Sequence, residues 1–327
     1  MLSKMLKAAV GAAVLAAGLQ IAKPAAADPF EIVHTTWVGY GPLFLARDLG
    51  YFKEEGVDVV LTTIEDHALL MTSLMSGKVA GAVSTVDEYL LYMTPNNCLN
   101  YVLALDESRG GDGVIASKSV PDFKAIKGQK VAYNEGSVSQ FWFSVLLKNA
   151  GMTFKDVESV NMTPDDAAAA VRAGQVPVAV TWEPHITEAR NSPDVHVLAD
   201  SSSTPGVIVD VLGVTCETAK KRAKDIQAIN RAWNRAVEYW KQNPEAANKI
   251  MAKGVGGWLE DPAAFADALK GIRFFGKAEN ASYFGTPDKP GELYQVFDFA
   301  VETWNGLGKL QVTPKAADVI TGAYLQP

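Results

Sequence analysis

Aromatic and acidic side chains follow apolar segments of the sequence at the points where buried strands are expected to end. Trp182 and Glu183 come directly after the apolar residues 178–181 and before Pro184. An indole can stack on a flat or cationic group, and a carboxylate accepts hydrogen bonds from N–H donors. Because ligands of open α/β sheets bind beyond the carboxyl ends of strands, both residues are candidate binding residues. Alternatively, Glu183 only holds the turn before the next helix.

The same arrangement occurs earlier in the chain. SGKVAGAVST, residues 76–85, matches AGQVPVAVTW, residues 173–182, at an offset of 97 positions. The earlier copy places Thr85, Asp87 and Glu88 at the equivalent strand end. We expect one of the two acids to stabilise the start of the next helix and the other to face a solute. A helix–glycine–strand unit is common in α/β proteins, so the match alone does not establish a duplicated lobe.

Further candidates lie at other strand ends and helix starts. They are Trp37, Gly39 and Tyr40 before the helix opened by Pro42, Asp106, the serines Ser137 and Ser139 of GSVSQFWF, and Asp210. At least one of the two serines is expected to be a helix N-cap. An aspartate inside an apolar strand is costly unless it is paired, so Asp210 needs either a structural partner or the ligand.

The candidate set is acidic, with Arg109 as one of few candidate cations. Carboxylates suit a solute that carries amine, amidine or heterocyclic N–H donors, and Trp37, Tyr40, Trp142 and Trp182 could stack on a flat ring or cation. Sulfonate or nitrate remains an alternative, because serine hydroxyls and backbone N–H groups at a helix start can hold an anion.

The first 27 residues are typical of a secretory signal peptide. Lys4 and Lys7 precede an apolar, Ala-rich stretch from Ala8 to Ala22, which is shorter than the ~20 apolar residues of a membrane span, and the small residues Ala25 to Ala27 follow it. We expect cleavage after Ala27 and export to the periplasm. The remaining chain would carry 27 basic and 37 acidic residues, a net charge of −10. That balance argues against a nucleic-acid partner.

Metal, redox and catalytic chemistry find little support in the sequence. Cys98 and Cys216 are the two cysteines, a weak disulfide framework for 327 residues, so unpaired buried thiols are expected. No cofactor or metal is expected, since the histidines are scattered. His185 lies near Glu183, but in the first turn of a surface helix it is expected to be solvated or a capping partner. No G-x-S-x-G nucleophile motif is present.

From Glu31 onward, short apolar runs alternate with helical segments, which predicts a mostly parallel sheet with helices on both faces. Two polar connections, ESRGGDG (residues 107–113) and SSSTPG (residues 201–206), interrupt this alternation. Two lobes joined by these two segments would enclose a cleft.

Several segments together resemble a known family. They are WVGYGPLFLARDLGYFKEEGVDV (residues 37–59), the SGKVAGAVSTVDE unit, LALDESRGGDGVIAS (residues 103–117), WEPH (residues 182–185) and the late VETWNGLGKL segment. The chain is similar to solute-binding proteins of the nitrate, taurine and aliphatic-sulfonate class of ABC importers, which includes thiamine-precursor binders. The resemblance implies an α/β type II periplasmic binding fold, with lobe one formed by residues 28–107 and 207–327 and lobe two by residues 108–206.

The expected function is the periplasmic substrate-binding component of an ABC importer, working with a permease and an ATPase and closing about a hinge. We expect a monomer that is not membrane-spanning after signal cleavage, and that captures a small nitrogen- and/or sulfur-containing solute. A taurine-like zwitterion and an aminopyrimidine-like ring are the favoured forms. Alternatives are an aliphatic sulfonate or nitrate binder, a ligand-sensing module of the same fold, and an enzyme related to pyrimidine synthases. The enzyme is disfavoured because the cysteine cluster of those synthases is missing.

Overall fold

The computed structural model describes residues 28–286 and 288–325 and contains two α/β lobes. The predicted signal peptide, residues 1–27, lies outside the described residues. The strands are β1 (Phe30–His34), β2 (Val59–Thr63), β3 (Gly81–Thr85), β4 (Leu99–Ser108), β5 (Asp112–Ser117), β6 (Lys130–Tyr133), β7 (Glu158–Asn161), β8 (Val178–Trp182), β9 (Val195–Asp200), β10 (Val209–Thr215), β11 (Ile272–Phe274), β12 (Gly285–Thr286) and β13 (Lys289–Pro290).

The helices cover both lobes and fill most of the chain after β10. They are α1 (Gly41–Asp48), α2 (Tyr51–Glu54), α3 (His67–Met75), α4 (Val86–Leu90), α5 (Val138–Asn149), α6 (Pro164–Arg172), α7 (His185–Arg190), α8 (Cys216–Lys221), α9 (Ala223–Gln242), α10 (Pro244–Val255), α11 (Pro262–Ala268), α12 (Lys277–Phe284), α13 (Glu292–Gly306) and α14 (Ala316–Val319). In the described part of the chain, no helix combines the length and apolarity that a membrane crossing requires.

Each lobe contains one mixed sheet. Within the described residues, the sheet of lobe one has the strand order β2-β1-β3-β10-β4-β11 and that of lobe two the order β7-β6-β8-β5-β9. Strand β1 pairs in parallel with β2 and β3, and β6 pairs in parallel with β7 and β8. Strands β10 and β5 run antiparallel to both of their neighbours.

The expectation of a mostly parallel sheet is therefore only partly correct. The reversed strands β5 and β10 are the first strands that the chain forms after each crossing between the lobes. After each crossing, the chain enters the new lobe along a strand that runs antiparallel to the neighbouring strands of that lobe's sheet. The alternation of apolar runs and helical segments in the sequence predicts the strands and helices, but it does not predict which strands run antiparallel to their neighbours.

The internal repeat coincides with structurally equivalent strands. Strand β3, which ends the first copy, lies between β1 and the reversed strand β10, and β8 lies between β6 and the reversed strand β5. The repeated segments therefore occupy the same place in the two sheets. Both strands are fully buried, in agreement with their apolar sequences.

Alternate residues of the central strands pack into cores on opposite sheet faces. Ile32 of β1 joins the core formed with Leu43 of α1 and Ile229 of α9, whereas Val33 joins the core formed with Leu70 of α3 and Phe297 of α13. Helices on both faces explain why these strands read as continuous apolar runs.

The two connections between the lobes are bonded to each other. The hydroxyls of Ser108 and Ser201 are 2.7 Å apart, and the backbone N–H of Gly110 donates to the Ser201 hydroxyl. Glu107 is fully buried and accepts hydrogen bonds from Gly206 N and Arg109 Nε. The two segments thus form one paired crossing. The lobe boundaries at residues 107–108 and 206–207 stay a prediction.

Cys98 and Cys216 form a disulfide, so the prediction of two unpaired thiols is wrong. Cys98 precedes β4 and Cys216 follows β10, and these neighbouring antiparallel strands place Leu99 opposite Thr215. The two Cα atoms are consequently 5.3 Å apart, within the usual range for a disulfide. A separation of 118 residues in sequence concealed this proximity.

Candidate ligand-binding site

A small cavity of about 30 Å³ lies between the lobes, where β1, β3 and β8 end. Among the described residues that line it are six of those predicted from the sequence: Trp37, Tyr40, Thr85, Glu88, Trp182 and Asp210. Five of these belong to lobe one and Trp182 to lobe two. The position beyond the strand ends is the one expected for an open α/β sheet.

Other lining residues were not identified from the sequence. They are Thr35, His67, Ser84, Asp112, Val138 and Ile208. Asp112 lies in the GGDG connection, which predicted a crossing between lobes but gave no indication that its aspartate turns into the cleft. His67 follows the N-cap Asp66 of α3, and an N-cap signal alone does not distinguish a ligand contact from an ordinary helix start.

Gly39, Asp87 and Asp106 lie immediately behind this lining. A Cβ atom at Gly39 would come within 2.4 Å of Asp106 Oδ2 and Trp37 Nε1, so glycine is needed for this close approach. Trp37 Nε1 donates to Asp106 Oδ1 at 3.1 Å, which holds the indole beside the cavity. The backbone carbonyl of Asp87 accepts from Trp304 Nε1, which fixes the start of α4.

Tyr40 and Asp210 form a buried pair on the lobe-one side. The Tyr40 hydroxyl donates to Asp210 Oδ1 at 2.5 Å. Burial, reinforced by the charge of Asp210, raises the pKa of Tyr40 well above its ordinary value, so the phenol stays a donor. The sequence-based requirement for a partner of Asp210 is met by Tyr40, while Asp210 also lines the cavity.

His67, Glu88 and Ser84 form a second buried group. Glu88 accepts from His67 Nδ1 at 2.6 Å and from Ser84 Oγ at 2.5 Å. Burial opposes the charged imidazolium of His67, but the carboxylates of Glu88, Glu65 and Asp66 together outweigh it and raise the pKa of His67. The imidazole also contacts the Trp182 indole across the cleft, with ring centroids 5.9 Å apart.

Several buried polar atoms around the cavity have no hydrogen-bond partner within the described residues. They are Asp106 Oδ2, Asp112 Oδ2, His67 Nε2 and Ser139 Oγ. Unpaired buried polar groups are costly, and each one calls for an explanation. Their concentration beside one cavity indicates that a bound molecule completes the hydrogen bonding.

The buried carboxyl groups resist ionisation in the empty cavity. Burial raises the pKa of Asp87 to about 8 and that of Asp112 to about 7. Burial also raises the pKa of Asp106 and of Asp210 well above the ordinary value, and the neighbouring Asp210 charge contributes to the shift of Asp106. None of the described residues that line the cavity is a lysine or an arginine.

Ser137, Glu183 and Arg109 have structural partners. Ser137 is the N-cap of α5, as its hydroxyl accepts from Ser139 N. Glu183 accepts from Thr187 N and Thr187 Oγ1, both at 3.0 Å, and so holds the start of α7. The Arg109 guanidinium donates to Glu107 beside the lobe crossing. The contribution of Ser137 and Glu183 to binding stays a prediction.

His185 was expected to be solvated or a capping partner; it is buried, so the solvated alternative is wrong. Its Nε2 atom lies 2.9 Å from Asp165 Oδ1 and its Nδ1 atom 3.1 Å from Glu188 Oε2. Burial disfavours the charged ring, but these two carboxylates raise the pKa of His185 overall. The side chain connects α6 to α7 because the two helices pack on neighbouring strands.

Comparison with known proteins gives the family. A family model described as NMT1/THI5 like matches residues 37–247. A putative aliphatic sulfonates-binding protein of Escherichia coli (strain K12) is 30% identical over 139 residues, 42% of each chain. A 4-amino-5-hydroxymethyl-2-methylpyrimidine phosphate synthase of Aspergillus parasiticus is 30% identical over 135 residues, 41% of this chain and 39% of that protein. The chain thus matches less than half the length of these two relatives.

Solved structures confirm the predicted periplasmic binding fold. The periplasmic aliphatic sulphonate-binding protein SsuA from Escherichia coli matches with a TM-score of 0.74 at 17% identity, over 92% of this chain and 100% of that chain. The periplasmic nitrate-binding protein NrtA from Synechocystis PCC 6803 matches with a TM-score of 0.62 at 15% identity, over 88% and 92% of the two chains. At these identities the likeness establishes the fold, and the ligand has to be inferred from the cavity itself.

Proposed function

The chain belongs to the NMT1/THI5-like family, and we propose that it is the periplasmic solute-binding component of an ABC importer that captures a small nitrogen-bearing organic solute. The fold supports this proposal, because two lobes around a central cavity suit capture and release of a small molecule. The proteins of similar structure include an aliphatic sulphonate-binding protein and a nitrate-binding protein. Its partners would be a permease and an ATPase.

One observation carries the choice of a nitrogen-bearing solute, namely the excess of acceptors around the cavity. Glu88, Asp112 and Asp210 line it, and Asp87 and Asp106 are buried beside it. N–H groups of a solute would satisfy carboxylate oxygens that have no partner in the protein. A taurine-like zwitterion and an aminopyrimidine-like ring both carry such donors.

Binding would favour the closed arrangement of the lobes. Trp37, Tyr40 and Asp210 contribute from lobe one, while Asp112 and Trp182 contribute from lobe two. A solute that contacts both sides binds the closed form more tightly than an open form and shifts the population towards it. The permease would then recognise the closed form.

An aliphatic sulfonate is the second candidate. One hydroxyl near the cavity, Ser139 Oγ, has no partner within the described residues and could donate to a sulfonate oxygen. The name of the Escherichia coli relative points the same way. The neighbouring carboxyl groups oppose it wherever they are ionised, because a carboxylate repels a sulfonate and only a protonated carboxyl group can donate a hydrogen bond to it.

Calorimetric titration and thermal unfolding of the protein with a solute panel test the proposal. The panel contains taurine, 4-amino-5-hydroxymethyl-2-methylpyrimidine, methanesulfonate and nitrate. A nitrogen-bearing solute at 100 times its dissociation constant is expected to stabilise the protein by about 2.7 kcal/mol. Stabilisation by methanesulfonate or nitrate alone would contradict the proposed solute class.

A further inference from the structure

The chemistry of the solute can be narrowed beyond its having nitrogen. We infer that the cavity binds a small, flat organic cation of the amidinium or guanidinium class that carries no anionic group. The inference rests on the proposed function and concerns the same cavity. Its basis is the charge of the lining, the unpaired atoms, the aromatic walls and the size of the space.

The charges of the lining leave no place for an anionic group. Glu88, Asp112 and Asp210 are the acids of the lining, and none of its described members is a lysine or an arginine. The one imidazole, that of His67, already lies 2.6 Å from the carboxylate of Glu88. The sulfonate of a zwitterion would therefore lie among carboxyl groups, and the cationic group of the described lining, His67, is already paired with Glu88.

One unpaired, almost fully buried side chain of the lining points to a ligand independently of the net charge. Asp112 is 5% exposed, and its Oδ2 atom has no hydrogen-bond partner within the described residues. Asp112 comes from lobe two, whereas Asp210, which also lines the cavity, comes from lobe one. A solute that contacts both carboxyl groups must present hydrogen-bonding atoms on two sides.

The donors of the solute have to point in different directions. Asp210 lies on the lobe-one side of the cavity and Asp112 on the lobe-two side. Thr85, which also lines the cavity, is the last residue of β3 and directly precedes α4. Amidinium and guanidinium groups carry N–H donors that diverge within one plane, a geometry that matches carboxylates well. A primary ammonium group has three donors, but they point to one hemisphere.

Aromatic side chains line both lobes. Trp37 and Tyr40 contribute from lobe one, and Trp182 contributes from lobe two, held against the His67 ring. Cations are attracted to aromatic faces, and a flat delocalised cation is also able to stack on them. The walls therefore favour a planar cation over a tetrahedral sulfonate.

The size of the cavity sets a limit on the solute. A space of about 30 Å³ is roughly two to three times the ~10–15 Å³ that holds one water molecule. In this arrangement of the lobes, the cavity accommodates a group of a few heavy atoms. Guanidinium and acetamidinium are of that size, whereas a substituted pyrimidine requires a more open arrangement.

The test is calorimetric titration of the full mature chain at millimolar concentrations of six probes. They are guanidinium chloride, acetamidinium chloride, urea, taurine, methanesulfonate and calcium chloride, with ionic strength matched by sodium chloride. Urea is the neutral, planar counterpart of guanidinium. Guanidinium or acetamidinium is expected to bind at least tenfold more tightly than urea, taurine, methanesulfonate or calcium.

Two variants locate the binding. Asp210→Asn removes one carboxylate of the lining and should weaken amidinium binding at least tenfold, whereas Asp318→Asn, at an exposed acid of α14, should leave it unchanged. Binding that survives Asp210→Asn with full affinity overturns the assignment to this cavity. Tm of each variant shows whether it folds.

The outcomes separate this inference from the proposed function. Tight binding of taurine, or of the aminopyrimidine in the panel that tests the proposed function, without preference for the amidinium probes, overturns the inference and leaves the proposed function intact. Binding of methanesulfonate alone overturns both. Binding of calcium alone, or of none of the six probes, also overturns the inference.

Discussion

Asp210 on β10 lies directly opposite Asp106 on the neighbouring strand β4. Both side chains are buried, and each accepts one hydrogen bond from an aromatic residue, Asp210 from Tyr40 and Asp106 from Trp37. Burial raises the pKa of both carboxyl groups well above the ordinary value. A bound cation would lower the pKa of both carboxyl groups, because it favours their ionised forms. The protonation of Asp106 and Asp210 therefore depends on the charge of the bound solute.

Asp210→Asn is expected to weaken cation binding without weakening the fold. Asparagine keeps an oxygen that accepts from Tyr40 but cannot carry a charge. Loss of a buried charged hydrogen bond to the solute is worth at least about 2 kcal/mol, or roughly thirtyfold in affinity. Calorimetry measures the affinity, and thermal unfolding of the free variant should give Tm no lower than that of the wild type. A large loss of Tm would instead make Asp210 a structural residue.

Trp182 is expected to contribute by stacking. Trp182→Leu should weaken cation binding about tenfold, because it removes a face worth ~1–2 kcal/mol to a desolvated cation. Trp182→Phe retains an aromatic face and should lose much less. Titration of both variants with acetamidinium measures the difference. Equal losses for leucine and phenylalanine would show that Trp182 acts by filling space, consistent with its contact with His67.

The strands, the helices and half of the cavity lining could be predicted from the sequence, because they depend on patterns of residues that are close together in the chain. Apolar runs followed by polar residues identified the strand ends, and strand ends are where Trp37, Thr85 and Trp182 line the cavity. The internal repeat correctly related β3 to β8, since equivalent strands repeat the same local pattern.

The rest depended on contacts between distant parts of the chain. Asp112 follows the crossing between the lobes, and its orientation into the cleft follows from the reversed strand β5. His67 joins the site through Glu88, 21 residues later. The pairing of Cys98 with Cys216 likewise depends on the adjacency of β4 and β10, which no local pattern reports.

Glu183 is expected to stabilise α7 rather than bind the solute. Its carboxylate accepts from the backbone and side chain of Thr187, and it is not among the described lining residues. Glu183→Ala should lower the free energy of unfolding by about 1–2 kcal/mol and change the affinity less than threefold. Urea unfolding and calorimetry measure the two quantities. A loss of affinity with unchanged stability would assign Glu183 to the solute.

Reduction of the disulfide is expected to destabilise the protein. The bond between Cys98 and Cys216 closes a segment of 118 residues, and removing such a constraint typically costs about 2–4 kcal/mol. Urea unfolding with and without a phosphine reductant measures the loss. The double variant Cys98→Ala/Cys216→Ala is the control, since the reductant should not change its unfolding. An unchanged wild-type midpoint would contradict a stabilising role.

The free protein is expected to lose stability as the pH rises from about 4 to 8. An aspartate in the unfolded chain has a pKa of about 3.9, whereas burial raises the pKa of Asp112 to about 7 and that of Asp87 to about 8 in the folded protein. The folded protein therefore binds more protons across this interval, and its free energy of unfolding falls as those protons are lost. Urea unfolding at pH 5, 6, 7 and 8 measures the slope.

Cation affinity should change in the opposite direction and rise from pH 6 to 8. Asp112 and Asp87 face the acids Glu88, Asp106, Asp210 and Glu183, together with His67 and Tyr40 on the lobe-one side. A cation lowers the pKa of the two carboxyl groups, so binding releases protons, which becomes less costly as the pH approaches 8. Above that pH Asp112 and Asp87 are already ionised, so their contribution to the pH dependence should level off. Titration with acetamidinium in two buffers of different ionisation enthalpy measures both the affinity and the number of protons released. Tighter binding at pH 6, with proton uptake, would instead indicate an anion held by protonated carboxyl groups.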